Sequence, residues 1–229
     1  MCLTYALKIN ENLDMKNFNK LLLYVSEEKI NRIYRFHRFE DAQRSLLGDI
    51  LARYVICKNM KIKNKEIVFK TSEYGKPFLS GQSNIHFNIS HCENWVVCSL
   101  DNSSVGVDVE TIKPIDLNIA ERFFSKDEND YILSQSADKR LTNFFKVWTL
   151  KESYIKNIGE GLSLLNSFSF KFFPKISLVK PYTDSQEFFF HQFFLDNNSI
   201  ISICALSDQF YEGDTFNVGS FVNSVKDLL

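Results

Sequence analysis

Two short stretches, VGVDVE at residues 105–110 and FFKVWTLKESYIKNIGEG at residues 144–161, bring Asp108, Glu110, Glu152 and nearby lysines to spacings that chemistry can use. In a strand successive side chains alternate faces, so Gly106, Asp108 and Glu110 share one side and Val105, Val107 and Val109 the other. The valines suit a core, whereas two adjacent carboxylates repel and raise at least one pKa unless positive charge stands near them. A divalent cation such as Mg²⁺ resolves that conflict, because it takes a few carboxylate oxygens, keeps waters and completes its shell with substrate phosphates. The alternative is a solvated strand face paired with nearby Lys or Arg.

In the second stretch Trp148, Glu152 and Lys156 recur every fourth residue and form one helical stripe. Glu152 is either a third metal ligand or general base, or the acid of a surface Glu–Lys pair with Trp148 in the core. FNISHCENW (87–95) places Ser90 and His91 at a strand end, where both could donate to an anion. Adjacent strand residues point to opposite faces, which argues against a serine nucleophile with a histidine base. EYGKPFL (73–79) reads as a turn presenting Lys76 beside the open backbone of Gly75.

The elements that must position these groups form an ordinary folded chain. Its 229 residues, 45% hydrophobic and 24% charged with 22 phenylalanines, support a sizeable aromatic-rich core. A net charge of −1 provides no global field for nucleic acid or an anionic membrane, so an anion site must be built from local Lys and Arg. The five scattered cysteines lack a C-x-x-C pair, which supports neither a disulfide framework nor a zinc site. MCLTYALKIN reaches charge too soon for a signal peptide, and no apolar run approaches the roughly 18 residues of a membrane span. A cytoplasmic protein is expected.

Helical periodicity predicts two helices within residues 26–60, Ser26 capping the first, with Leu46, Leu47, Ile50, Leu51, Tyr54 and Val55 on the buried face of the second. EIVFK, IHFNIS, WVVCSL and SVGVDVE follow as strands of one largely antiparallel sheet. After Pro114 the order repeats, with helices at LNIAERFF, SKDENDYILS and KRLTNFFKVWTLKESYIKNI, then strands at SFSFKFF, EFFFHQFFL and SIISICAL. The expected fold is α+β: two similar lobes related by a pseudo-twofold, each a mostly antiparallel sheet packed with helices, with the active site in the cleft between them. The lobes are expected at residues 1–112 and 113–229.

Taken in order, RFEDAQRSLLGDILARYVI, EYGKPFL, FNISHCENWVV, VGVDVETIKPI, RFFSKDE and WTLKESYIKNIGEGLSLLNSFSF resemble the 4′-phosphopantetheinyl transferases of the larger, surfactin-synthetase-activating (Sfp-type) branch. The likeness runs from about Ser26 to Phe170. It implies transfer of phosphopantetheine from coenzyme A to a serine of an acyl or peptidyl carrier protein, with Mg²⁺ (Mn²⁺ being possible) as cofactor and adenosine 3′,5′-bisphosphate as by-product.

The resemblance further implies that Asp108, Glu110 and Glu152 hold the metal, Glu152 also serving as base, directly or through water. Lys156 is similar to the residue that neutralises or protonates the leaving phosphate, and Lys151 would lie near the same pyrophosphate. Ser90 and His91 match phosphate contacts, His91 on the 3′-phosphate side. Lys29, Arg32, Arg44 and Lys76 fit a cationic shell around the nucleotide, and Tyr74, Gly75 and Pro77 an adenine-side loop. Glu128 matches a family acid near the site.

A monomer is implied, with coenzyme A and a helical, acidic carrier domain as partners and neither nucleic acid nor membrane. The carrier would dock on residues 111–124 through Ile112, Ile115, Phe123 and Phe124, part of which could be core. Carriers of this kind serve fatty acid, polyketide, nonribosomal peptide and lysine synthesis. Two rivals compete with this reading: a metal-dependent phosphodiesterase, and a catalytically inert module that binds coenzyme A or a carrier.

Overall fold

The computed structural model describes residues 1–179 and 186–228. The chain opens with strand β1 (Cys2–Lys8) and helices α1 (Met15–Leu22), α2 (Glu27–Ile33) and α3 (Phe39–Met60). Ser26 caps α2 by accepting from the Lys29 amide, as its sequence position predicts. Helix α3 buries Leu46, Leu47, Ile50, Leu51 and Val55 completely, and Lys61 in the left-handed region ends it.

The short hairpin β2 (Phe69–Thr71) and β3 (Pro77–Leu79) follows, then β4 (His86–His91), β5 (Trp95–Asp101) and β6 (Val105–Thr111). The second half supplies α4 (Ile119–Phe123), α5 (Lys126–Leu133) and α6 (Ala137–Ile158), a hairpin of β7 (Ser169–Lys171) and β8 (Ser177–Val179), then β9 (Phe189–Asp196), β10 (Ser199–Ala205), β11 (Phe210–Asn217) and α7 (Val218–Leu228). Helices thus precede the larger strands in both halves, as the sequence predicts, and a short hairpin intervenes each time.

Two larger sheets, ordered β11-β1-β5-β4 and β6-β10-β9, carry the fold. All pairings are antiparallel except β1 with β11. The expectation that β6 extends the sheet of β4 and β5 is corrected, since β6 hydrogen-bonds to β10 instead. Its valine face packs with Ala6, Trp95, Val97, Ile201 and Ile203 in a core between the two sheets. Fully buried valines such as Val105 and Val107 each contribute about 1.5–3 kcal/mol, which fixes the register of β6 against a one-residue slip. Helix α3 covers the outer face of the first sheet and α6 the outer face of the second.

Strands β1 and β11 and helix α7 carry no expectation from the sequence. They assemble through a pairing of Cys2 with Phe210, and so distant a partnership leaves no local periodic trace. Among the described residues no disulfide joins the cysteines and no helix is long and apolar enough to cross a membrane.

Candidate active site

The two sheets meet where β4 runs beside β6 without a backbone ladder. Val107 donates its amide to Asn88 Oδ1 at 2.8 Å, and Val109 donates to Ser90 Oγ at 3.3 Å. Side chains thereby satisfy buried amides that a neighbouring strand would otherwise take. Ser90 Oγ donates onward to Asp108 Oδ1 at 2.9 Å. Into the same junction Lys156 of α6 donates to Asp108 Oδ1 at 2.6 Å and to Ser90 Oγ at 3.0 Å.

Helix α6 can lie this close because residue 106 is glycine. A Cβ there would stand 2.0 Å from the Ser153 carbonyl oxygen and 2.3 Å from the Asn157 nitrogen, inside the helix's own ladder. The residue on the face shared with Asp108 and Glu110 is therefore the contact that seats α6. Lower on the helix, Thr149 and Ser202 hydroxyls meet at 2.7 Å, and Gln192 donates to Ser202 at 2.8 Å, which pins α6 to β10 and β9.

Three carboxylates consequently occupy one small region. Asp108 is 3% exposed, and its Oδ2 is buried without a hydrogen-bond partner. Burial, then the Asp108 charge, pushes Glu110 up to about 7 and Glu152 likewise. Among the described residues no three His, Cys, Asp or Glu side chains yet stand close enough to hold a metal ion. In kind, however, the donors fit one: all are hard carboxylate oxygens, one of them is orphaned, and burial beside the Asp108 charge raises the other two carboxyls.

On the other side of β4 lies a cleft of about 610 Å³ between α2, α3 and the β2–β3 hairpin. Lys29 and Arg32 line it from α2, Arg44 from α3, Gly75 and Pro77 from the hairpin turn, and His91 from β4. Burial pulls the Lys29 pKa down against the attraction of Asp49, 3.9 Å away. Desolvation, then the charges of Lys156 and Arg44, also lowers His91, although part of its ring remains open to solvent. Arg44 is held by Asp41 at 2.5 Å and the Glu93 carbonyl at 3.2 Å. Basic walls of this kind suit a polyanion.

Two family models match this chain: residues 13–103 match the 4′-phosphopantetheinyl transferase N-terminal model, and residues 104–204 the 4′-phosphopantetheinyl transferase superfamily. The transferase Sfp of Bacillus subtilis strain 168 is 37% identical over 214 residues, which covers 92% of this chain and 95% of Sfp. The chain belongs to the 4′-phosphopantetheinyl transferases. Two further members, ffp of Bacillus subtilis and gsp of Aneurinibacillus migulanus, are 45% and 44% identical over 72% and 70% of this chain, and over 74% and 68% of their own lengths.

Not every residue expected in this transferase's site is there. Lys151 is fully buried, donates to both Glu128 carboxylate oxygens at 3.1 and 2.9 Å and to the Phe168 carbonyl at 2.9 Å, and so is corrected from a pyrophosphate contact to a core ion pair. Glu128 is equally buried and also accepts from the Ser125 and Phe170 amides, which removes it from the acidic seam. On a helix Lys151 and Glu152 diverge by about 100°, so neighbours in sequence face different surroundings.

Lys76 also departs from expectation. Its ammonium turns away from the cleft to the Val105 and Asn157 carbonyls at 3.0 and 2.9 Å. Tyr74 is 60% exposed and does not line the cleft, whereas its neighbours Gly75 and Pro77 do. Sequence reading missed the cleft residues Phe36, Ser45, Lys70 and Thr71. From Asp41, steps of three and four residues along α3 reach Arg44, Ser45, Gly48 and Asp49, a helical signal that could have revealed them. The three-residue β2 carries no comparable periodicity.

Proposed function

We propose that this transferase binds coenzyme A with its nucleotide in the cationic cleft and its pyrophosphate against the acidic seam, and passes the 4′-phosphopantetheine group to a serine of an acyl or peptidyl carrier protein. The observation that carries this reading is the end of β4, where alternation sends His91 into the cleft and Ser90 into the seam. One strand end thus joins a polyanion pocket to three carboxylates. The lobes 1–112 and 113–229 exchange strands in this scheme, β6 entering the second sheet and β11 the first. The working unit is a cytoplasmic monomer.

Arg44, Lys29, Arg32 and His91 neutralise the phosphates of the nucleotide, and Gly75 and Pro77 border the adenine. Ser90 and Lys156 face the pyrophosphate. The carrier serine oxygen attacks the pantetheine-side phosphorus; the new P–O bond forms as the anhydride P–O bond breaks, and adenosine 3′,5′-bisphosphate leaves. Glu152 takes the serine proton, directly or through water. Lys156 offsets charge on the departing phosphate. Asp108, Glu110 and Glu152 would hold Mg²⁺, with Mn²⁺ acceptable to the same oxygens, and the ion supplies Lewis-acid stabilisation of phosphoryl charge.

The carrier would dock on residues 111–124. Ile112, Ile115 and Phe123 are half-buried there and Ile119 is 43% exposed, but Phe124 is core and is withdrawn from the docking set.

Two measurements test the parts of this reading. His91→Ala should weaken adenosine 3′,5′-bisphosphate binding by about ten-fold, the scale of one lost charge-assisted contact. In the parent protein affinity should fall from pH 6 to pH 8, because a His91 depressed in the free protein must gain a proton to meet phosphate. Calorimetry showing undiminished affinity in the variant would remove His91 from the pocket.

The metal reading carries its own pH dependence. Glu110 and Glu152 are raised to about 7 in the folded protein, so it holds protons that the unfolded chain loses above about 4.5. Metal-free stability should therefore decline as pH rises from about 4.5 through 7. Mg²⁺ must displace those protons, so it should raise the melting temperature more at pH 8 than at pH 6. Equal stabilisation at both values would contradict the assignment.

A further inference from the structure

Lys76 sits on the turn between β2 and β3, whose neighbours Gly75 and Pro77 line the cleft, yet its side chain leaves that cleft. It reaches instead the Asn157 carbonyl at 2.9 Å, the Val105 carbonyl at 3.0 Å and Ser104 Oγ at 3.5 Å. Asn157 lies in the last turn of α6, where unsatisfied carbonyls and the negative end of the helix dipole favour a cation. Val105 opens β6. One ammonium therefore touches the end of the helix that carries Glu152 and Lys156 and the start of the strand that carries Asp108 and Glu110.

The surrounding groups make this a closed polar node. Ser104 Oγ also donates to the Asn157 backbone carbonyl, at 2.6 Å, while the Asn157 side-chain Nδ2 donates to the Ser104 and Cys204 carbonyls at 3.0 and 2.8 Å. Gly159 follows at φ 75°, and a Cβ there would meet the Lys76 stem at 3.6 Å, so the lysine lies along the helix terminus. Gly106, two residues from Ser104, already requires α6 to touch β6 backbone to backbone. Small movements at this end would be transmitted directly to the spacing of Glu152 and Asp108.

We propose that Lys76 is a positioning residue, which clamps the end of α6 to β6 and ties the nucleotide-cleft turn to the carboxylates that carry out transfer. This deepens the proposed placement of the nucleotide and rests on it. In this role Lys76 would act through the Asn157 and Val105 carbonyls, not through contact with nucleotide or phosphate.

The test combines a binding constant with a kinetic cycle. Lys76→Gln, which keeps a donor and removes the charge, and Lys76→Met are compared with Ser104→Ala and with the Lys76→Met/Ser104→Ala double variant, after circular dichroism confirms folding. Displacement of catalytic groups by a fraction of an ångström should lower kcat by on the order of ten-fold in Lys76→Met. Binding of adenosine 3′,5′-bisphosphate should stay within about two-fold of the parent. The double variant should lose no more than Lys76→Met alone, because both residues act through Asn157.

A ten-fold loss of nucleotide affinity with kcat preserved would overturn the proposal and restore Lys76 to the substrate shell. Strictly additive kcat losses, or a preserved kcat, would overturn it as well. Should Lys76→Met fail to fold, Lys76→Gln carries the same comparison. Failure of the parent protein to bind the nucleotide would instead refute the cleft assignment, and the kinetic cycle would still decide whether Lys76 positions α6.

Discussion

Glu152→Gln should lower kcat by roughly 10³-fold, the combined scale of a lost general base and a weakened metal ligand, while the fold remains intact. Glu152 is 8% exposed, and burial together with the Asp108 charge holds its pKa at about 7. At pH 8 the metal-free parent must keep an ionised carboxylate beside Asp108, whereas glutamine occupies the same volume without charge. The variant should consequently melt no lower than the parent at that pH, and higher if the repulsion dominates. Single-turnover transfer and a thermal melt measure the two effects separately. Near-parental turnover would exclude Glu152 as ligand and as base.

Gly106→Ala should have the largest effect on stability, roughly 3 kcal/mol or more, because overpacking here meets backbone that cannot rotate away. The added carbon would lie 2.0 Å from the Ser153 carbonyl oxygen and 2.3 Å from the Asn157 nitrogen. Either α6 withdraws from β6 or its last turn opens, and both separate Lys156 from Asp108. Urea unfolding measures the loss, and any folded fraction should transfer slowly even at saturating coenzyme A. A stability change below about 1 kcal/mol would show that α6 is not seated on Gly106.

These two positions also show why the chemistry was legible. Asp108 and Glu110 follow a two-residue alternation beside Gly106, and Trp148, Glu152 and Lys156 a four-residue one, so backbone geometry alone fixes which side each faces. Ser90 and His91 separate for the same reason, one into the seam and the other into the cleft.

Lysines were less legible than acids. A lysine stem is long and flexible, and the direction of its ammonium depends on which buried acceptors lie within reach. Lys151 finds Glu128, brought close by the capping box at the start of α5, and Lys76 finds carbonyls of residues 105 and 157. Neither partner is near in sequence.

The topology was partly hidden for a related reason. The strand of valines was recognisable as buried on one face, but its partnership with β10 depends on residues nearly a hundred positions later. The β1–β11 pairing lies farther away still and is parallel. Long helices declare themselves through their own periodicity; distant strand partners do not.

Metal-dependent transfer is decided by incubating the purified protein with coenzyme A, Mg²⁺ and an apo carrier protein and weighing the carrier by intact mass spectrometry. The predicted result is a gain of about 340 Da, one phosphopantetheine, that disappears when EDTA removes the metal. An unmodified acyl or peptidyl carrier, or a gain that survives EDTA unchanged, would contradict metal-dependent transfer at this seam.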